Sequence, residues 1–287
     1  MRDDPRAAGV GPQVLRCGKF PLDLSRPLVM GVVNVTPDSF SDGGRFLAPD
    51  AAIEHALRLI AEGADIVDVG GESSRPGAAP VGVEEETARV VPVVRALRDA
   101  PVPVSVDTMK PEVMRAALAE GAAMVNDITA LAAPGALPVL AASDCAVCVM
   151  HMQGEPRTMQ ASPSYQDVVR EVREFLSARV AAAERAGISR GRLLIDPGFG
   201  FGKTVEHNLE LLRRLREFCA IGVPVLAGWS RKSSLGRITG RPAADRLAAS
   251  IAAALIAVQN GAQIVRVHDV AATRDALAVW TAVAGHA

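Results

Sequence analysis

Short apolar runs recur along the chain. Each ends in a polar residue, and between the runs lie Ala-rich segments whose apolar positions recur with helical period. From residue 28 the runs are LVMGVVNV (28–35), DIVDVGG (65–71), VPVSVD (102–107), AMVNDI (123–128), AVCVMHM (146–152), LLIDPG (193–198), VPVLAGWS (223–230) and QIVRVHDV (263–270). Runs this short, bounded by Gly and Pro and rich in Val and Ile, read as buried strands. Predicted helices include 51–63, 83–100, 111–121, 165–187, 205–218 and 244–261. Many close on a glycine, and Pro111 fits a first helical turn. Eight strand–helix units in a chain of 287 residues predict a single-domain α/β protein, a (β/α)8 TIM barrel. The alternative, a doubly wound open sheet, commonly carries a GxGxxG turn, and none is found. Residues 1–14 read as a mobile tail and 15–287 as the barrel domain. A hairpin or plug over 13–24, turning at Gly18 and Lys19, precedes the main fold.

Composition narrows the picture. The chain is 49% hydrophobic and 3% aromatic, so its core is built from Ala, Val, Leu and Ile, as parallel strands under Ala-rich helices require. A net charge of −1 argues against a nucleic-acid surface. There is no apolar run of membrane-spanning length and no secretory signal at the N-terminus, so a cytoplasmic location with no membrane partner is expected. Cys145 and Cys148 form a CxxC. On a strand, residues three apart point to opposite faces, so the pair reads as structural and not as a redox or zinc site.

In a barrel the C-terminal strand ends converge on one mouth. Here they carry Asn34, Asp68 with Glu72, Asp107, Asn126 with Asp127, His151, Asp196, Ser230 with Arg231 and Lys232, and Arg266 with His268. Asp107, Asn126 and Asp196 suit a flat heterocycle bearing several N–H donors. Arg75, Lys232, Arg266 and His268 are cationic or can be, and suit a phosphate. Asn34 offers an oxygen for Mg²⁺ beside phosphate oxygens. The stretch LLIDPGFGFGK (193–203) sets Asp196 and Lys203 on either side of a Gly-rich turn, and Thr204 can cap the next helix. Asp196 either meets a ligand or braces its own turn. His151 is a strand-end donor or a ligand contact. Two polar loops, TPDSFSDGG (36–44) and GESSRPGAAP (71–80), present Phe40 and Arg75 over the mouth. Asp68 reads as a supporting residue, His55, His207 and His286 as surface, and Met109, Met114 and Met124 as core.

In this order, NVTPDSFSDGG, DVGGESSRPGA, SVDT, VNDI, MHMQG, DPGFGFGK, SRKS and RVHDV resemble the dihydropteroate synthases of folate biosynthesis, over almost the whole chain. The resemblance implies a barrel enzyme that joins 6-hydroxymethyl-7,8-dihydropterin diphosphate to 4-aminobenzoate and releases diphosphate. It further implies Mg²⁺, a homodimer, and a target for sulfonamides. Carried over by motif, Asp107, Asn126, Met150, Asp196, Phe201, Gly228 and Lys232 would hold the pterin. Asn34 (through Mg²⁺), Ser74, Arg266 and His268 would hold the diphosphate. Phe40, Arg75, Pro76 and Ser233 would hold the aminobenzoate. Arg75, Lys232, Arg266 and His268 would carry the catalysis. Two departures are visible. The second loop reads ESSRP where the family has ESTRP, and Trp229 is bulkier than expected, either altering the pterin pocket or facing the helices.

Overall fold

A computed structural model describes residues 14–35, 48–73 and 77–284. Residues 1–13 of the tail expected over 1–14, the loop over 36–44, Ser74, Arg75 and Pro76, and His286 fall outside the described residues, while Val14, read as the end of that tail, is the first residue of a strand. The chain opens with the expected hairpin. β1 (Val14–Cys17) pairs antiparallel with β2 (Phe20–Asp23), turning at Gly18 with φ 54°.

The barrel strands follow: β3 (Leu28–Asn34), β4 (Ile66–Gly70), β5 (Val104–Asp107), β6 (Met124–Asp127), β7 (Ala146–Met150), β8 (Leu193–Asp196), β9 (Leu226–Ala227) and β10 (Ile264–Val267). All are parallel, in the order β8-β7-β6-β5-β4-β3-β10-β9. A parallel bridge between Ile195 and Val225, with the Ile195 N–H donating to Pro224 O at 2.9 Å, joins the two ends and closes the barrel. Each of the eight predicted runs is a strand.

The helices are α1 (Ala48–Ala61), α2 (Val83–Ala96), α3 (Pro111–Ala119), α4 (Ala136–Ala141), α5 (Val168–Arg185), α6 (Val205–Arg213), α7 (Ser233–Thr239), α8 (Leu247–Gln259) and α9 (Val270–Ala284). The predicted helix over 205–218 stops at Arg213, and a tighter 3-10 segment runs over Leu215–Ile221. The predicted start at 165 moves to Val168, because the Asp167 carboxylate caps the Val169 and Arg170 N–H groups. Thr204 caps α6 as expected. Its partner is His207, whose Nδ1 accepts from the Thr204 N–H at 3.2 Å. The reading of His207 as a plain surface residue is corrected accordingly: it completes a capping box.

Strand alternation sorts the core. Odd positions of β8 (Leu193, Ile195), with Val147, Val149, Val265 and Val267, face the helices. The alternate residues Met30, Ile66, Met124, Ala146, Cys148, Leu194, Leu226 and Ile264 face inward, and Leu15, Cys17 and Leu24 of the hairpin pack on them. These inward residues lie toward the N-terminal ends of their strands. The hairpin therefore plugs the bottom of the barrel, and the inward positions one pleat further on are left to the mouth. Cys145 lies in the outer cluster and Cys148 in the inner one, as the strand argument required. Trp229 faces the helices, its ring 5.0 Å from that of Phe199, which settles its alternative.

Candidate active site

The same alternation that buries Leu194, Met124 and Ile264 aims Asp196, Asn126 and Arg266, two residues on, into the mouth. Asp68 and Asp107 follow Ile66 and Ser105 in the same way. Parallel register aligns Gly70 with Asp107 and Asp107 with Asn126, and sets Met150 beside Asp196. Asn34, half-buried at the end of β3, registers with Gly70. Of the paired polar residues at the end of β6, only Asn126 looks inward. Asp127 accepts from Thr129 and Leu131 and braces its own loop.

Asp68 is the hub. It is fully buried, and its Oδ2 accepts from Arg266 Nε at 2.6 Å and from Asn126 Nδ2 at 3.1 Å. Arg266 also donates, through Nη2, to Asp107 Oδ2 at 2.9 Å. Residues assigned separately to heterocycle and phosphate thus form one network. Burial works against the Arg266 charge, but Asp68 and Asp107 outweigh it and hold the guanidinium above its usual range. Burial raises the Asp107 carboxyl, opposed by Arg266. Asn126 Oδ1 is buried with no protein partner among the described residues. An orphaned buried carbonyl costs about 1–3 kcal/mol, which a ligand N–H would recover.

Asp196 sits at the end of β8 with Oδ1 accepting the Gly198 N–H at 2.7 Å. It braces its turn and also faces the mouth, so both readings hold. Burial pushes its carboxyl up, while the Gly198 N–H, Lys232, Lys203 and Arg266 pull it down. Its Oδ2 lies beside Gly228, between β8 and Arg266. Lys232 precedes α7 and places Nζ 4.2 Å from the centre of the Phe201 ring, a cation–π contact. Phe201, Met150, Ile128 and Met159 form an apolar cluster with Met109 and Met152 against it. Met109, read as core, therefore belongs to the mouth, whereas Met114 and Met124 are core. Thioethers against an aromatic wall suit a planar ring.

Of the residues read as cationic or able to become so, His268 is held neutral. Its Nδ1 lies 2.9 Å from Ser230 Oγ, and its backbone N–H donates to the same oxygen at 3.2 Å. Burial, reinforced by Arg266 and Arg231, lowers its pKa to about 3. His268 is neutral at pH 7, not cationic. Nδ1 and the Ser230 hydroxyl share one hydrogen bond, which leaves Nε2 as the ring nitrogen outside it. Arg231, at φ 58°, turns away to pair with Asp269 at 2.6 Å. Lys203, on the far side of the Gly-rich turn from Asp196, is buried against His151 and the Phe201 carbonyl. His151 is buried at the end of β7 against the Phe175 ring. Ser233 is the exposed first residue of α7. Phe40, Ser74, Arg75 and Pro76 lie outside the described residues.

Sequence reasoning missed a cluster beneath the second loop. Lys110 donates to both Glu72 and Glu86, and Glu72 Oε1 accepts the Val81 N–H at 3.2 Å. Glu86 is on a helix and fully buried. Its only signal in the sequence is a carboxylate on the apolar face of α2. The polar character of Ser230 was visible, but its hold on His268 was not.

For a divalent cation, the described residues contain no group of three His, Cys, Asp or Glu side chains. Asn34 Oδ1 and Asp107 Oδ2 both border Gly70 at the strand ends. A neutral amide oxygen at the rim, with a carboxylate nearby, fits Mg²⁺ that brings most of its shell as waters and phosphate oxygens.

The chain matches the pterin binding enzyme family over residues 30–268. It is 53% identical over 264 residues to dihydropteroate synthase of Haemophilus influenzae, covering 92% of this chain and 96% of that one. Among solved structures it is similar to Xanthomonas albilineans dihydropteroate synthase with 4-aminobenzoic acid, at TM-score 0.90 and 56% identity over 95% of this chain and 98% of that one. It is likewise similar to the Burkholderia cenocepacia enzyme complexed with 7,8-dihydropteroate, at TM-score 0.87 and 51% identity over 96% and 98%. With an unbroken match across all eight strands, the chain belongs to the pterin-binding enzymes and, within them, to the dihydropteroate synthase family.

Proposed function

We infer that this chain condenses 6-hydroxymethyl-7,8-dihydropterin diphosphate with 4-aminobenzoate, yielding 7,8-dihydropteroate and diphosphate. The observation that carries the reading is the inward layer of Asp107, Asn126 and Asp196 over an apolar wall, with Arg266 and His268 at one side. The acids and the amide pair with the heterocycle's N–H groups. Met150 and Phe201 flank the ring, Gly228 leaves room beside Asp196, and Lys232 spans ring and anion. Arg266 and the His268 ring meet the diphosphate. The bound molecules in the Xanthomonas and Burkholderia relatives, 4-aminobenzoic acid and 7,8-dihydropteroate, are those expected of this reaction. Ser74, Arg75, Phe40, Pro76 and Ser233 are assigned to the diphosphate and aminobenzoate side by motif.

Asn34 would hold Mg²⁺, which would neutralise charge on the departing diphosphate. No described helix is long and apolar enough to cross a membrane, consistent with a cytoplasmic enzyme acting on small molecules. A homodimer is supported by α7, α8 and α9, where Ile238, Leu247, Ile256, Val279 and Val283 are exposed. α8, LAASIAAALIAVQ, is apolar on all sides, a composition that suits burial on both faces.

The test is coupled detection of diphosphate and dihydropteroate from the two substrates with Mg²⁺. Both products in equal amounts are expected. Pterin binding with neither product would make the chain a binding protein and overturn the assignment.

A further inference from the structure

We propose that Lys203 is a positioning residue for the heterocycle, its ammonium locking the end of β7 to the loop after β8 so that Met150, Asp196 and Phe201 stay in register around the slot. This rests on the function proposed above.

Lys203 is only 3% exposed. Its Nζ lies 3.0 Å from His151 Nδ1, 3.3 Å from His151 O and 3.0 Å from Phe201 O. An ammonium has three protons, and here three lone pairs receive them. None of these hydrogen bonds goes to a carboxylate. Burying a cation in this way is costly, and the cost is offset only by satisfying every proton and by a charge partner further off.

What the three bonds join is specific. His151 directly follows Met150, and its N–H donates to Asp196 O at 3.0 Å. Phe201 is the aromatic wall. One ammonium thus binds the backbone of both flanks of the slot and approaches Asp196 from behind. The glycines of the loop serve the same closure. A Cβ on Gly198, at φ 72°, would stand 1.9 Å from His151 O, the carbonyl that Lys203 also meets. A Cβ on Gly202, at φ 63°, would stand 2.3 Å from Gln153 O. Only glycine lets the two loops approach this closely.

The groups facing Lys203 come from each neighbouring element. His151 ends β7 and is held neutral, its pKa lowered to about 3 by burial and then by Lys203. Asp196 ends β8. Lys232 precedes α7. Tyr165, from the segment before α5, donates to Gly202 O at 2.8 Å, and burial pushes its phenol up. Burial lowers Lys203 itself to about 7, with Asp196 opposing and Lys232 assisting. If the charged form organises the slot, pterin binding and protonation of Lys203 are linked, and each favours the other.

The experiment compares wild type with Lys203→Met, a neutral side chain of similar length, in the assembled full-length enzyme. KM for pterin diphosphate should rise about tenfold or more, while KM for 4-aminobenzoate stays within about twofold. Calorimetric affinity for a non-phosphorylated pterin should fall in wild type between about pH 6.5 and about pH 8.5, and the variant's profile should lack that fall. The free ligand's own titration, measured separately, is subtracted from both. Equal changes in both KM values, no change in either, or parallel pH profiles would overturn the proposal. Should Lys203→Met fail to fold, titrations near pH 7.5 in two buffers of different ionisation enthalpy, on wild type and on Lys203→Arg, which stays charged, decide it: proton uptake in wild type that the arginine variant lacks supports the linkage, and equal uptake in both, as Asp107 with its pKa raised to about 7 would give alone, removes it. Because calorimetry needs no turnover, a wild type that binds pterin but forms no product would sink the proposed reaction and leave the Lys203 test standing.

Discussion

Asp196 shows how one side chain can be both brace and ligand. Its Oδ1 holds the Gly198 N–H while Oδ2 stays at the mouth. Asp196→Ala should leave the barrel folded by circular dichroism and weaken pterin binding by about tenfold or more, since each lost hydrogen bond in a dry slot is worth about 1–3 kcal/mol. Unchanged affinity by calorimetry would remove Asp196 from the site. The two buried histidines set a pH signature. His151 and His268 both have folded pKa values near 3, below the ordinary histidine value of 6.5. The unfolded chain therefore binds more protons between these limits. Stability is fully present above pH 6.5 and falls as pH drops toward 3, each group adding up to about 1.4 kcal/mol per pH unit. Urea midpoints measured over that range should show the loss, and His268→Gln should flatten the slope by close to one proton.

Among the elements, α2 and the β5–α3 turn meet at a charge cluster that anchors the base of the second loop. Lys110 serves Glu72 and the fully buried Glu86 together. Lys110→Met would strand Glu86 without its cation, so a loss of about 3–5 kcal/mol in urea unfolding is expected. A loss below about 1 kcal/mol would show that the cluster does not anchor the loop. On β7 the CxxC behaves as strand geometry demands. Burial pushes the Cys145 and Cys148 thiols up, and the two belong to different clusters. Replacing both by Ala should leave kcat/KM near wild type, and elemental analysis should find no stoichiometric zinc.

For the whole molecule, the arrangement of charge bears on the order of bond making and breaking. Of the two ring nitrogens of His268, Nδ1 is engaged by Ser230. The acids of the mouth pair with Arg266 or await the pterin. An arylamine is neutral at pH 7 and needs no deprotonation before it attacks. Catalysis should therefore act on charge developing as diphosphate leaves. Enzyme with Mg²⁺ and pterin diphosphate alone should slowly release diphosphate. If none appears, and the rate follows amine nucleophilicity across substituted anilines, direct displacement is the better account. Arg266→Ala should lower kcat far more than it weakens aminobenzoate binding. It also leaves Asp68 buried without its cation, so its folding must be measured alongside. The proposed homodimer can be tested as a unit too: wild type should sediment as a dimer, and Ile256→Glu with Val279→Glu as a monomer. A monomeric wild type would leave the apolar helices unexplained by self-association.

The sequence alone determined the barrel, because eight buried runs separated by amphipathic helices admit few other parallel arrangements. It also brought five of the mouth residues to one end, although Asp127 and Arg231, read with them, turn away. A period of two, counted from the apolar interior residues, carries Asn34, Asp107, Asn126, Asp196 and Arg266 to one end whatever the finer packing. Thr204 and the hairpin turn at Gly18 were legible for the same reason, since their physics is local. What only the tertiary structure decided are contacts between residues far apart in the chain. Asp68 and Arg266 are 198 positions apart, and no local pattern pairs them. His268 loses its charge because its neighbours desolvate it, and desolvation belongs to the assembled fold. In the sequence Lys203 only stands across a turn from Asp196. Three left-handed glycines curl the loop, and the lysine is buried there, where it ties the end of β7 to that loop instead of meeting the solvent.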